Sequence, residues 1–227
     1  MLFKFFKQIF SKSSKKESSS LLSLPKFGDL PESLHIYIDD VVNLLQIKKF
    51  TLSTCACMFQ DTNTHETSIY PYFLPKIDTI ADNTETIAGY VDGDSGMIYI
   101  ARYIRWAKDN KKPSFELLSE AELLLNTLHE LRHLWQAENI PEEYYATTAY
   151  GLEHQHDSTE IDADAFAYAY IFSDKTPYSW NDMPLQKMNH IINTVISKDY
   201  AAYREQRARE LATEYNFKNY LWIPPRR

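Results

Sequence analysis

An α+β fold is predicted for this 227-residue chain by three of its features. KKFTLSTCACMF, residues 48–59, is β-branched and aromatic, the composition of a strand. GYVDGDSGMIYIAR, 89–102, reads as a hairpin of two strands around a D-G-D-S-G turn, whose glycines supply positive φ. AELLLNTLHELRHLWQA, 121–137, runs at helical spacing without Gly or Pro, and further helical stretches follow it. Strands gathered before helices describe an α+β architecture.

The elements follow in order. PESLHIYIDDVVNLLQI, 31–47, places Leu34, Ile38, Val41, Val42 and Leu45 on one side of a helix. The strand at 48–59 comes next, and 60–87, rich in Thr, Asn, Asp and Pro, reads as irregular. After the hairpin, a loop containing Lys111, Lys112 and Pro113 leads to the long helix. That helix starts at a capping box, Ser119 with Glu122. Leu123, Leu124, Leu125, Leu128, Leu131 and Leu134 surround much of its circumference, which predicts a buried central helix. A Tyr-rich segment follows Pro141. TEIDADAFAYAYIFS, capped by Asp157 or Ser158, forms the next helix to about residue 173, and 183–215 supplies two more.

Composition narrows the function classes. Five lysines and no acid lie in residues 1–16, so a formal net charge of −7 for the whole leaves −12 on the remainder. A body that acidic disfavours phosphate backbones, and no nucleic-acid partner is expected. Cys55 and Cys57 are the only cysteines; without a framework of disulfides or a second ligand pair, they read as inert thiols in a reducing compartment. The expected location is cytoplasmic. No run approaches the ~18 apolar residues of a transmembrane helix. MLFKFFKQIFSK nevertheless sets Leu2, Phe3, Phe5, Phe6, Ile9 and Phe10 on one arc of a helical wheel and lysines on the other. SKSSKKESSS after it reads as a flexible linker. Residues 1–25 are therefore expected to form an amphipathic basic segment with its linker, and 26–227 a single domain. Residues 1–16 are either a weak peripheral anchor for a membrane or partner, or a frayed terminus.

HELRH, 129–133, carries the chemistry. His129 and His133 stand at i and i+4, so both imidazoles project from one helix face, two corners for a Zn²⁺ tetrahedron. Glu130 lies beside them, placed to take a proton from a metal-activated water. The third ligand must come from elsewhere. A Gly three residues after His133 and a His three further on would mark a metzincin, but Gln136 and Asn139 stand there. Glu160 is the preferred ligand because Asp164, one turn on, shares its helix face and can accept a hydrogen bond from a ligating histidine. Asp162 falls about 200° around from Glu160 and should face away, at the ~100° per residue of a helix. His154, His156 and Asp157, just before this helix, are the rivals. Oxyanion-stabilising candidates between the ligand helices are Tyr144, Tyr145, Tyr150, His154 and His156. His35 and His190 read as ordinary core or surface residues, and Trp135 as core.

HELRHLWQ, a Tyr-rich connection and then EIDADAFAYAY resembles the ImmA/IrrE group of HExxH metallopeptidases and neighbouring bacterial and phage families. In that group the helix after HExxH carries E-x-x-A-x-x-F-A, matched here by Glu160, Ala163, Phe166 and Ala167. The resemblance covers about residues 85–173. It implies a zincin-like fold with a small hairpin or sheet packed on the HExxH helix, His129, His133 and Glu160 as zinc ligands, and Glu130 as catalytic base. It further implies a peptide substrate lying along the hairpin edge by β-augmentation. Asp164 stands where the group often has Asn, and Arg132 where a small residue is common; no helix-turn-helix is appended. The expected function is a gluzincin-type zinc peptidase acting on a protein or peptide. The alternative is a non-catalytic zinc module that docks through its N-terminal segment.

Overall fold

The computed structural model describes residues 30–106, 112–150, 158–185 and 198–220, with backbone alone at 147–150 and 198–199. The N-terminal segment, Tyr150's side chain, His154, His156, Asp157 and His190 lie outside these described residues. The fold is mixed α+β, with small sheets packed on several helices.

Helix α1, Glu32–Leu44, buries Leu34, Ile38, Val41 and Val42, the stripe read from its spacing. The single strand expected at 48–59 is two: β1, Thr51–Cys55, and β2, Cys57–Asp61, separated by a bend at Ala56. Ala56 N–H donates to Tyr70 and its carbonyl accepts from Tyr103, so the backbone hydrogen bonds change partners there and the two halves enter different sheets. Both cysteines are free and buried.

The segment 60–87 departs from expectation. It contains β3, Thr67–Tyr70, and β4, Thr84–Ile87, which flank β2 in an antiparallel sheet of order β3-β2-β4. TSIY and TETI are each four residues, too short to outweigh the turn-forming composition around them; pairing with β2 decides them. An unexpected antiparallel pair flanks the presumed loop before the long helix, β7, Tyr103–Trp106, with β8, Ser114–Leu117; 107–111, with Lys111, lies outside the described residues.

The predicted hairpin is present as β5, Gly89–Asp92, and β6, Met97–Ala101. Positive φ is confined to Gly96; Gly93 does not require it. β1 joins β6 in parallel, giving the order β1-β6-β5, so β5 is an edge strand.

Helix α2, Glu120–Asn139, has the predicted capping box: Glu122 N–H donates to Ser119 Oγ, and Ser119 N–H donates to Glu122 Oε2. Its six leucines are all buried, so it is the central helix. Helix α3, Pro141–Tyr150, occupies the Tyr-rich connection. Helix α4, Ser158–Ile171, packs against both α2 and α5, Lys198–Glu214. Ala163, Ala165, Ala167 and Ala169 of α4 are all fully buried. Residues this small allow close helix approach on more than one side. Of the two C-terminal helices expected over 183–215, α5 is described and 186–197 lies outside. Among the described residues no helix is long and apolar enough to cross a membrane.

The capping box also ties α2 to a distant segment. Ser119 Oγ donates to the Asp182 carbonyl at 2.7 Å, and the buried Glu122 accepts from Leu185 N–H at 2.6 Å. Ser119→Ala is therefore expected to cost about 1–2 kcal/mol, read as a lowered urea midpoint at unchanged slope.

Candidate metal centre

The middle of α2 and the first turns of α4 face one another, and their side chains meet. His129 Nε2 and His133 Nε2 are 2.9 Å apart. Glu160 Oε2 is 3.3 Å from the first and Glu160 Oε1 is 3.2 Å from the second. The three residues form a group able to hold a metal ion, with one ligand atom from each lying within 4.8 Å of the others. Ligands about 2.0–2.1 Å from a tetrahedral zinc stand roughly 3.3 Å apart, so the donor set and its spacing fit this ion.

The outer nitrogens of both imidazoles are engaged. His129 Nδ1 is 3.0 Å from Asp164 Oδ1, and His133 Nδ1 is 2.8 Å from Gln136 Oε1. The Asp164 carboxylate and the Gln136 amide oxygen are acceptors, so each Nδ1 donates, and it is the Nε2 of each ring that faces the centre, where a metal would displace any proton. Asp164 is held in turn by the Tyr200 hydroxyl, which donates to Oδ2 at 2.6 Å, and by Arg204 at 3.8 Å. Gln136 donates to the Thr159 carbonyl and to Asp162 Oδ2, at 3.0 and 2.9 Å.

Asp162 turns away from the three converging atoms, as its angular position requires, and into the interior. It accepts from Arg132 Nε at 2.7 Å and from Arg207 Nε at 2.8 Å. Arg132, only 1% exposed, also donates to the Tyr215 hydroxyl and stacks 3.8 Å above the Trp135 ring. Its bulk lies about 60° around α2 from His129, at the ~100° per residue of a helix, and is directed onto Asp162 of α4. Trp135 packs against the core, as expected.

Burial and charge compete throughout. Burial alone would lower both histidine pKa values. For His129, hydrogen bonds to Asp164 and Glu160 and the charges of both carboxylates prevail and hold it well above the usual imidazole range. For His133 the charge of Glu160 raises the pKa against burial and the opposing charge of His129. Burial would raise Glu160, yet the two imidazoles hold it well below the usual carboxylate range. Asp164 is likewise lowered against its burial by His129, Arg204 and Tyr200. Glu130 behaves oppositely: burial raises its pKa, and the imidazole charges only partly offset this.

The position of Glu130 depends on Gly89 at the start of β5. A Cβ built there would fall 2.6 Å from Glu130 Cγ and overlap its carboxylate, so only glycine admits this approach. Of the oxyanion candidates, Tyr144 lies beside the centre, its ring 5.8 Å from that of His133. Its phenol is kept neutral by burial and by the charges of Glu130 and Glu160. The Tyr145 hydroxyl instead donates to Asp94 at the β5–β6 turn. His35 lies on α1, outside the cluster.

Gln136, Tyr200, Arg204 and Gly89 were not singled out from the sequence. Gln136 was discoverable, being three residues past His133 on the same face. Tyr200 and Arg204 sit on α5 with no local signal linking them to HELRH. Comparison with protein-family models, curated proteins and solved structures finds no match for this chain.

Two outcomes are expected. Asp162→Ala should lower stability by about 3–5 kcal/mol in urea unfolding, because it removes the carboxylate from a buried guanidinium. The second concerns pH. The raised pKa of His129 stabilises the metal-free fold fully below the ordinary imidazole pKa, and that contribution fades as pH rises through the folded value. The lowered pKa of Glu160 makes its contribution present above the ordinary carboxylate pKa and lost only on acidification. A metal must displace the histidine proton, so the rise in Tm on adding zinc should grow from about pH 6 to about pH 8 in calorimetry.

Proposed function

We propose that this chain is a zinc-dependent peptidase of the HExxH type, with a zincin-like domain and kinship to the ImmA/IrrE group. The observation that carries the reading is the convergence of His129, His133 and Glu160 beside a buried Glu130 at the edge strand β5. His129, His133 and Glu160 would hold the metal, and three protein ligands are the number that catalytic zinc sites use. Zinc bound there supplies a Lewis acid that lowers the pKa of a coordinated water to about 7.

The protein's own groups do the rest. Glu130, raised in pKa by its dry surroundings, takes the proton from the attacking water and passes it to the departing amine. Gly89 fixes where that carboxylate stands relative to β5. Asp164 and Gln136 keep both imidazoles in the tautomer that offers Nε2. Tyr144 is the donor assigned to the oxygen of the attacked carbonyl, where negative charge develops. An extended peptide added along the outer edge of β5 would be held by main-chain hydrogen bonds beside these groups. The acidic body, at −12 outside residues 1–16, favours a peptide over a nucleic acid.

The test uses the full chain with zinc and a mixed peptide library as substrate. Wild type should bind about one equivalent of Zn²⁺ and cleave; Glu130→Gln should keep the metal and lose at least about 10²-fold in rate. His133→Ala should lose both. Undiminished cleavage by Glu130→Gln, or unchanged zinc content in His133→Ala, would overturn the reading.

A further inference from the structure

Helix α5 meets the candidate centre with polar side chains on a stripe that is otherwise apolar. Ala208 and Leu211 of that stripe are fully buried. Tyr200 and Arg204 stand about two turns and one turn before Ala208, at the i, i+4, i+8 spacing of one helix face. Both approach Asp164 of α4. Apolar residues at these two positions would pack without partners, whereas a polar group taken out of water needs one.

The two oxygens of Asp164 account for the arrangement. The Tyr200 hydroxyl donates to Oδ2 at 2.6 Å, and Oδ1 is 3.0 Å from His129 Nδ1. One carboxylate thus joins α5 to α2, giving one oxygen to each. The last torsion of an aspartate is broad, so a carboxylate held at one oxygen can turn and one held at both cannot. Arg204 is a different kind of neighbour. Its guanidinium is 3.8 Å from Oδ2, beyond hydrogen-bond length, and lies 4.3 Å over the Tyr168 ring. Its charge favours the ionised carboxylate without fixing the orientation; the short Tyr200 contact does that. Burial and the charge of Asp164 hold the Tyr200 phenol above its ordinary pKa, so the hydroxyl keeps the proton it donates. The outer hydrogen bond of a metal-binding imidazole sets its ring angle and the basicity of its inner nitrogen.

We propose that Tyr200 is a positioning residue for the candidate metal centre: through Asp164 it fixes the His129 ring, and α5 thereby sets the metal affinity. The proposal rests on the metal site of the peptidase reading, and its test does not require turnover.

Zinc affinity is read on the full chain by competition with a chromophoric chelator. Tyr200→Phe removes the hydroxyl, keeps the ring and should weaken Zn²⁺ binding about tenfold, the low end of what loss of an outer partner costs. Asp164→Ala should weaken it about 10–100-fold. Asp164→Asn is the second variant, since one amide oxygen then replaces two carboxylate oxygens. Adding Tyr200→Phe to either should weaken binding by less than about a further twofold, because Tyr200 acts only through Asp164. Tyr203→Phe, 61% exposed on the same helix, should change nothing. In ¹⁵N-labelled, zinc-loaded protein the His129 Nδ1–H resonance, identified by its displacement in the Asp164 variants, should shift in Tyr200→Phe and hold still in Tyr203→Phe. Unchanged zinc affinity in Tyr200→Phe, additive losses in the double variants, or an unmoved His129 resonance would overturn the proposal. Tyr200-dependent zinc binding in a chain that cleaves no peptide would sustain it and remove the peptidase reading. Glu130-dependent cleavage with zinc affinity indifferent to Tyr200 would do the reverse, and a wild type that binds no zinc would overturn both.

Discussion

The candidate centre depends on how closely α4 approaches α2. Glu160 reaches the two imidazoles only because the helices pack at short range, and the alanines of α4 make that range possible. The buried pair of Arg132 and Asp162 sets the register of this contact. One helical turn out of place would separate a guanidinium from its carboxylate in the interior, which costs far more than a misplaced methyl group. Gln136 then links the two flanks, since it contacts His133 with its oxygen and Asp162 with its nitrogen. The ion pair that looks purely structural is thus two hydrogen bonds away from His133 of the candidate centre.

The electrostatics of the centre follow from the same packing. Glu130, Glu160 and Asp164 are brought together with two histidines in a cluster where Glu130 and His133 are buried and the others half-buried. The imidazoles draw Glu160 and Asp164 down in pKa, whereas Glu130 keeps the upward shift of its burial. On the proposed reading these carboxylates divide the work: the strongly acidic ones would hold a cation or orient a ring, and the weaker acid would move a proton. Burial separates them, with Gly89 pressed against the one and the histidines against the others.

Much of this was legible in HELRH, in the S-x-x-E cap and in EIDAD. Helical spacing alone puts His129 with His133 and Glu160 with Asp164, and the leucines of α2 declare it buried. The hairpin 89–102 was equally plain, because its alternation and turn chemistry agree. Elsewhere local signals were weak or divided. β3 and β4 have four residues each within a turn-rich stretch, and their neighbour β2 supplies the pairing. The strand at 48–59 reads as continuous because nothing in its composition marks the change of sheet at Ala56. Asp162 could be placed around its helix but not matched to a partner, since Arg132 and Arg207 lie 30 and 45 residues away.

The sequence by itself determined which residues share a face: periodicity is a property of one helix or strand, set by backbone geometry. It also determined the residue types from which a zinc site can be built, and where the central helix begins. Only the tertiary structure decided that the two faces meet, that β5 lies at a sheet edge beside Glu130, and that Tyr200 and Arg204 reach back to Asp164. Those relations join segments far apart in the chain. They arise from helix packing and strand pairing, whose energies depend on complementary surfaces that no single stretch of sequence contains.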